Sequence, residues 1–324
     1  MTDLPPLLLA RDRIQHGLTP KDLARRVKAG ALVRIRHGVY TDGPAWKTLK
    51  PWEQYRLTVS AAAETFESPT VFARHSAASV WGIPTIGLHH PVQALALKND
   101  GGRSRAGVVR HFADPAGLTV VRREGLLVTC RIRTVLDLAA FTPFAEAAAP
   151  LDHVLKPDRT QRLPALTKDE LVAGIGTKYS AAAGRRILAA IAFADPLSGS
   201  AGESCSRALI HIAGFEPPIL QHAIYNSDGL VGYTDFCWKQ AKVVGEFDGV
   251  EKYVKPEFLK GRTASQAVVD EKNRENRIRA TGLNVVRWDW ADLMEPGKLE
   301  RMLAAAGVPR RRTRSADLDA RVTR

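Results

Sequence analysis

The chain has 324 residues, 45% of them hydrophobic, and a mean hydropathy of −0.17, values typical of a globular protein with room for about two or three domains. A net charge of +13 and a pI near 9.9 favour a polyanionic partner without saying which one. Apolar runs shorter than the roughly 18 to 20 residues that cross a bilayer exclude a membrane protein, and three scattered cysteines argue against a zinc site, so the cytoplasm is the expected location.

The first 50 residues predict a small winged helix-turn-helix domain. Residues 4–15 have a helical pattern, and Thr19 before Pro20 is a typical start for a second helix that ends near Gly30. Alternating apolar and polar residues over 32–40 then predict a β-hairpin.

Basic side chains concentrate in this N-terminal segment. Residues 1–60 hold eleven Lys and Arg against five Asp and Glu. A basic helix beside a basic hairpin suits contact with the DNA backbone, although a solvated face without a partner has the same pattern. The candidate DNA contacts are Lys21, Arg25, Arg26 and Lys28 of the helix, and Arg34 and Arg36 of the hairpin.

Residues 51–145 predict a mixed α/β module. The expected helices cover residues 51–66, 73–81 and 133–141, and the expected strands cover 91–97, 107–112 and 118–121. The four histidines of the module have no acidic or cysteine neighbours that would make a catalytic arrangement, so we assign them to structure or surface; they are His75, His89, His90 and His111.

The remainder of the chain divides into three parts. Residues 146–200 predict an alanine-rich helical linker region, and residues 201–307 a compact C-terminal domain. Residues 308–324 are rich in arginine and predict a disordered basic tail, which could equally serve only to keep the chain soluble.

Carboxylates interrupt two apolar runs of the C-terminal domain. Asp235 lies in the first run and Glu246 in the second, with the predicted turn from Lys239 to Lys242 between them. A hairpin would place Asp235 beside Glu246, and Asp248, two positions further on, would point to the same face of the sheet. Carboxylates in such surroundings need partners, and their convergence favours a divalent cation.

The order of these parts is specific. A helix with Glu203, a hairpin with Asp235, a strand with Glu246, a charged helix and a strand ending in Arg287 follow one another over residues 200–305. This order resembles the PD-(D/E)XK nuclease superfamily, in particular its branch similar to very-short-patch-repair endonucleases. The resemblance implies a restriction-endonuclease-like αβββαβ domain in a chain that is α/β by class and α+β overall.

Three segments of the first 145 residues carry a second resemblance. Residues 32–40, 75–78 and 133–139 are similar to proteins with an AbiEi-type antitoxin domain, which are transcriptional-regulator-like chains. Together the two resemblances imply one combined architecture.

The nuclease resemblance implies a role for each acid. Asp235, Glu246 and Glu203 would bind Mg²⁺ or Mn²⁺, which neutralises phosphoryl oxygens and makes water nucleophilic. Asp248 stands where the superfamily usually has a lysine, and Lys252 would have to substitute for it. Three basic residues would contact phosphate, namely Lys272, Arg274 and Arg287.

Each of these assignments has an ordinary alternative. An acid such as Glu203 is favourable near a helix start whatever the function, Asp248 could end its strand in a turn, and the helix cations could pair with acids of the same helix. Two functions therefore stay open: a DNA-binding, metal-dependent endonuclease, and a non-enzymatic antitoxin-like regulator that keeps the nuclease fold for packing or dimerisation. DNA is the expected partner, and a homodimer and a cognate toxin stay open.

Overall fold

The computed structural model describes residues 4–12, 17–87, 89–96, 107–114, 116–249 and 264–311. These residues form a mixed α/β protein with helices and three sheets. The chain divides into two compact units, unit 1 (Met1–Ala194) and unit 2 (Asp195–Arg324). Within the described part of the chain, no helix combines the length and the apolar character needed to cross a bilayer.

Unit 1 contains eight helices and eight strands among its described residues. Its helices are α1 (Pro20–Lys28), α2 (Gly43–Thr48), α3 (Pro51–Ala63), α4 (Arg74–Trp81), α5 (Arg131–Phe141), α6 (Phe144–Val154), α7 (Lys168–Ile175) and α8 (Ala181–Phe193). Its strands are β1 (Leu8–Leu9), β2 (Leu32–Arg36), β3 (Val39–Asp42), β4 (Val71–Phe72), β5 (Val92–Ala96), β6 (Val108–Phe112), β7 (Val120–Arg123) and β8 (Leu126–Thr129).

The N-terminal sheet has the strand order β1-β3-β2. The helix expected over residues 4–15 is wrong for its described part, because strand β1 and a short 3₁₀ helix (Ala10–Asp12) stand there. Leu8 pairs with Tyr40, so β1 extends the hairpin antiparallel to β3. Pairing with the edge of the hairpin thus overrides a helical pattern that the local sequence alone suggests.

Helix α1 and the hairpin that follows it are placed as predicted. The helix begins after Thr19, whose hydroxyl accepts a hydrogen bond from the Asp22 amide, and Pro20 occupies the first turn. Leu23, 4% exposed, faces the interior. Gly30 follows the helix with φ +72°, a conformation that glycine adopts without strain.

The second sheet of unit 1 has the order β6-β5-β4-β8-β7 and contains both parallel and antiparallel pairs. The strand expected over 118–121 is found two residues later, and its partner β8 was not predicted. The two strands meet at Glu124 and Gly125, which both have positive φ. The pair Glu-Gly is a weaker hairpin signal than Asn-Gly or Asp-Gly, which explains why the sequence did not reveal it.

One hydrophobic core joins this sheet to helices from both sides of residue 145. It contains Phe72 and Val128 of the sheet together with Leu136, Leu171 and Ile187 of the helices. The alanine-rich helices between 146 and 194 therefore bury their apolar faces against the same core as the strands of residues 51–145.

Unit 2 has four helices and four strands among its described residues. They are α9 (Ala201–Ile212), β9 (Ile219–Asn226), β10 (Gly229–Trp238), β11 (Val243–Phe247), α10 (Ala264–Ala280), β12 (Asn284–Trp288), α11 (Trp290–Met294) and α12 (Lys298–Ala305). The sheet order is β12-β11-β10-β9, with β11 parallel to β12 and the other neighbours antiparallel.

The two long helices of unit 2 pack on opposite faces of this sheet. Ile278 of α10 shares a buried cluster with Val244 and Val285, whereas Gly202 of α9 lies against the Phe247 ring. Side chains alternate between the faces of a strand, so Glu246 points to the same side as Val244, toward α10. The hairpin turn lies at Lys239 to Lys242, where it was expected.

Candidate nucleic-acid interface and acidic cluster

Helix α1 presents its basic residues to solvent. Lys21, Arg25, Arg26 and Lys28 are all exposed, because the apolar edge of this short helix turns inward. Arg25 forms an ion pair with Asp22 at 2.7 Å on its own helix. The exposed positions leave a cationic surface that suits contact with phosphate groups.

Arg34 and Arg36, the two candidate DNA contacts of the β2–β3 hairpin, lie on different faces of it. Arg34 pairs with Tyr40 and Arg36 with Val39, so the register shifts by one residue between the arginines. Such a bulge turns Arg36 to the opposite face of the hairpin from Arg34. Arg34 is exposed, with its guanidinium 2.7 Å from the His37 ring, whereas Arg36 is half-buried. The structure therefore keeps Arg34 on the solvent side of the hairpin and turns Arg36 away from it.

In unit 2 the structure brings Asp235 and Glu246 to neighbouring strands. Phe236 pairs with Gly245, so the two acids stand side by side at the next position of the ladder. The backbone amide of Phe247 donates a hydrogen bond to Asp235 Oδ2 at 2.9 Å. The predicted juxtaposition of these two carboxylates is therefore present in the fold.

Glu203 is linked to Asp235 through the side chain of Gln221. Gln221 Nε2 donates to Glu203 Oε2 at 3.0 Å and to Asp235 Oδ1 at 3.3 Å. The Gly199 amide also donates to Glu203 Oε2, at 2.6 Å. Gln221 adopts φ +47°, an uncommon backbone conformation for a residue other than glycine. One side-chain amide thus holds two buried or half-buried carboxylates in place.

Two arginines neutralise Glu246, which is 4% exposed. Arg274 of α10 donates to Glu246 Oε1 at 2.6 Å, and Arg287 of β12 donates to Oε2 at 2.7 Å. Arg287 also lies 3.4 Å from Asp248 and 3.2 Å from Glu275. The two residues expected to bind phosphate instead face carboxylates of their own fold.

The remaining predicted residues lie elsewhere. Lys272 is exposed on α10, and Lys252 lies outside the described residues, as do residues 312–324 of the predicted tail. A buried acid such as Glu246 needs charged or hydrogen-bonding partners. Sequence spacing could not identify Arg274 and Arg287 as those partners, because the contacts arise only when α10 packs on the sheet and β12 pairs with β11.

The carboxylates do not fit a bound Mg²⁺ as they are placed. No three His, Cys, Asp or Glu side chains of the described ranges form a group that could hold a metal ion. Both oxygens of Glu246 accept from guanidinium groups, and both oxygens of Asp235 lie within reach of N–H donors. Magnesium requires free oxygen ligands in near-octahedral geometry, and these donors occupy the positions that it would need.

Two of the four histidines of the mixed α/β module pack against each other. The His75 and His90 rings stack with centroids 3.8 Å apart. Burial, reinforced by His90 and Arg74, lowers the pKa of His75 to about 3, so its ring is neutral at physiological pH. Burial likewise lowers the pKa of His111 to about 4.

Comparison with known proteins gives a family match for the N-terminal segment. Residues 6–41 match the family described as transcriptional regulator, AbiEi antitoxin. The matched stretch includes β1, α1, β2 and most of β3, the same elements that carry the exposed basic residues.

Two relatives and one solved structure come from Mycobacterium tuberculosis. The uncharacterized proteins MT2308 and Rv2248, from two strains, are each 27% identical over 290 residues, covering 89% of this chain and 96% of the relative. A crystal structure of the RV2827C protein has a TM-score of 0.36 and 16% identity, covering 69% of this chain and 85% of that one. Residues 6–41 are therefore similar to the transcriptional-regulator, AbiEi antitoxin family, over a short N-terminal part of the chain.

Proposed function

We propose that this protein is a DNA-binding transcriptional regulator that contacts the duplex through α1 and the β2–β3 hairpin. One observation carries the proposal: the segment that matches AbiEi regulators also presents exposed cationic side chains on a well-capped helix. The antitoxin family makes a cognate toxin a further candidate partner, and the charge of the chain adds long-range attraction to a polyanion.

The arrangement on α1 suits contact with phosphate. Lys21, Arg26 and Lys28 extend from a helix only nine residues long, and Arg34 projects from the exposed side of the neighbouring hairpin. Contacts to phosphate set the affinity and orientation of a protein on DNA, and each one releases bound counterions. The affinity should therefore fall steeply as salt is added.

The test is a titration of fluorescent duplex DNA from the region upstream of the protein's own gene, followed by anisotropy at several salt concentrations. The variant Lys21→Gln/Arg26→Gln/Lys28→Gln should bind more weakly, with a log–log salt slope smaller by roughly 0.9 for each phosphate that it no longer neutralises. The matched control is Arg159→Gln/Arg162→Gln/Arg185→Gln, which removes the same charge from exposed positions of unit 1. An equal decrease of affinity in both variants would contradict the proposal, since net charge alone would then explain binding.

The second candidate function is metal-dependent hydrolysis of DNA by unit 2, with Mg²⁺ or Mn²⁺ as its cofactor. The observation in its favour is that Glu203, Asp235 and Glu246 lie on three elements that meet at one end of the sheet. The hydrogen-bonding and ion pairing of these acids count against it. We therefore place regulation first and give the acidic cluster a structural role.

A nicking assay separates the two candidates. Supercoiled plasmid is incubated with the full chain and Mg²⁺ or Mn²⁺, beside the variants Asp235→Ala and Glu246→Ala. We expect no more nicking from the wild type than from either variant. Nicking that both substitutions abolish would instead establish the nuclease.

A further inference from the structure

Unit 1 contains a cleft of about 640 Å³ beside the β2–β3 hairpin. Helix α3, the segment that follows it, and strands β5 and β6 provide the other walls. The lining is largely apolar, with Ile35, Phe66, Val92 and Val108 among its side chains. Pockets of roughly 300 to 1,000 Å³ with apolar walls and a few polar groups are typical of small-molecule sites.

The charged groups of the cleft are cationic. Arg36, which the hairpin bulge turns away from solvent, lines it together with Arg110. No Asp or Glu stands among the described lining residues. The Arg110 guanidinium lies over the Phe66 ring at 5.1 Å from its centroid, so a cation and an aromatic face stand next to each other in the wall.

One N–H group of the Arg36 guanidinium lacks a hydrogen-bond acceptor among the described residues. Its Nε atom is buried and makes no hydrogen bond in the described structure. Burial lowers the pKa of Arg36, which means that the fold disfavours the guanidinium charge without repaying that cost locally. A buried N–H without an acceptor costs free energy, and an anion placed against it would recover part of that cost.

We infer that the cleft binds a small organic carboxylate with an aromatic body. Arg36 receives the carboxylate, while Phe66, Val92 and Val108 contact the ring. Planar guanidinium groups pair well with carboxylates, and the apolar walls exclude a fully hydrated inorganic anion.

The position of Arg36 connects this site to the DNA-binding surface. Arg34 and Arg36 lie on opposite faces of the same strand, so a ligand held by Arg36 fixes the strand that presents Arg34 to solvent. The occupied cleft changes the affinity for DNA. This coupling rests on the proposed regulatory function, whereas binding of the carboxylate does not.

The probe is 2-naphthoate, and 2-naphthamide is its uncharged counterpart. Binding to the full chain is measured by calorimetry and by thermal shift, in the absence of DNA. The wild type and Arg159→Gln, which alters an exposed arginine outside the cleft, should bind 2-naphthoate equally. Arg36→Gln should weaken it by about tenfold or more, because it removes a hydrogen bond to a charged group.

The outcomes are distinct. Tight binding of the amide, or unchanged binding of 2-naphthoate by Arg36→Gln, would overturn the inference. Arg36 is half-buried and its buried Nε atom has no acceptor within the described structure, so Arg36→Gln should melt without ligand at a temperature close to that of the wild type. The uncharged amide provides an independent test of the same pocket. If the protein binds 2-naphthoate as described but binds no DNA, the inference of a carboxylate site is supported and the proposed regulatory function is contradicted.

Discussion

Arg287 contacts three carboxylates in unit 2, namely Glu246, Asp248 and Glu275. Its side chain is 21% exposed, and that of Glu246 is 5% exposed. Ion pairs of this kind are partly shielded from water, so they depend more on geometry than surface pairs do. The buried charge of Glu246 is tolerated because two guanidinium groups share it.

Arg287→Gln should destabilise unit 2 by about 1 to 3 kcal/mol, the cost of leaving a buried polar group poorly satisfied. Arg274 still contacts Glu246 in this variant, which limits the destabilisation. Hydrogen exchange of the β11 and β12 amides measures the change directly. Arg277→Gln, an exposed neighbour on α10, is the control and should leave exchange unaltered. Similar protection in the two variants would show that the ion pairs do not stabilise the sheet.

The same substitution, glycine to alanine, should change stability in opposite directions at two helical positions of unit 1. A Cβ at Gly174 in α7 would collide with the Ile132 side chain, whereas a Cβ at Gly184 in α8 would have no heavy atom within 4 Å. Gly174→Ala should cost about 1 to 3 kcal/mol through overpacking. Gly184→Ala should stabilise the helix by roughly 0.5 to 1 kcal/mol, since alanine loses less backbone entropy. Urea denaturation of both variants gives the two signs, and a lower stability of Gly184→Ala would refute the helix argument.

At the scale of elements, α1 and α7 begin with the same capping box. Thr19 and Asp22 exchange hydrogen bonds at the start of α1, as do Thr167 and Glu170 at the start of α7. In both helices these bonds lower the pKa of the acid below its usual value, because they favour the carboxylate form. The two helices differ in their surroundings, since only α1 belongs to the segment that matches the transcriptional-regulator, AbiEi antitoxin family.

Thr19→Ala and Thr167→Ala should therefore lower stability alike, by about 1 kcal/mol each, as expected when a helix cap is removed. Only Thr19→Ala should also weaken DNA binding, because it frays the helix that carries Lys21 and Arg26. Thermal unfolding and anisotropy of the same two proteins test both statements. Equal DNA affinity for the two variants would exclude α1 as the contact element.

The elements also show how far local sequence could predict the structure. The capped start of α1 and the hairpin turn from Lys239 to Lys242 were predicted, because their signals lie within a few neighbouring residues. Strand β1 was not, because its conformation comes from pairing Leu8 with Tyr40, 32 positions away (40 minus 8). Strand β8 was missed because its turn lacks a strong signature.

At the scale of the whole molecule, the chain consists of two compact units. The core of unit 1 extends from α3 through α8, and the core of unit 2 lies between α9, α10 and their sheet. Units that bury their own apolar surface can in general fold separately.

The fragments 1–194 and 195–324 should accordingly fold on their own. Each should show a cooperative thermal transition by circular dichroism, close to one of the transitions of the full chain. The control fragment 228–324 lacks α9 and β9, leaves one edge of β10 without its partner strand, and should melt without cooperativity. If fragment 195–324 were as disordered as that control, unit 2 would depend on unit 1 for folding.

The sequence by itself determined the basic N-terminal helix and hairpin and the adjacency of Asp235 and Glu246, because periodicity, caps and turns are local. Tertiary structure alone decided how those charges are used. Glu246 meets Arg274 and Arg287, 28 and 41 residues away, only when α10 and β12 pack on the same sheet. Arg36 likewise turns into a cleft because a single bulge shifts the register of its strand. Neither the ion pairs of Glu246 nor the position of Arg36 could be predicted from the spacing of residues along the sequence.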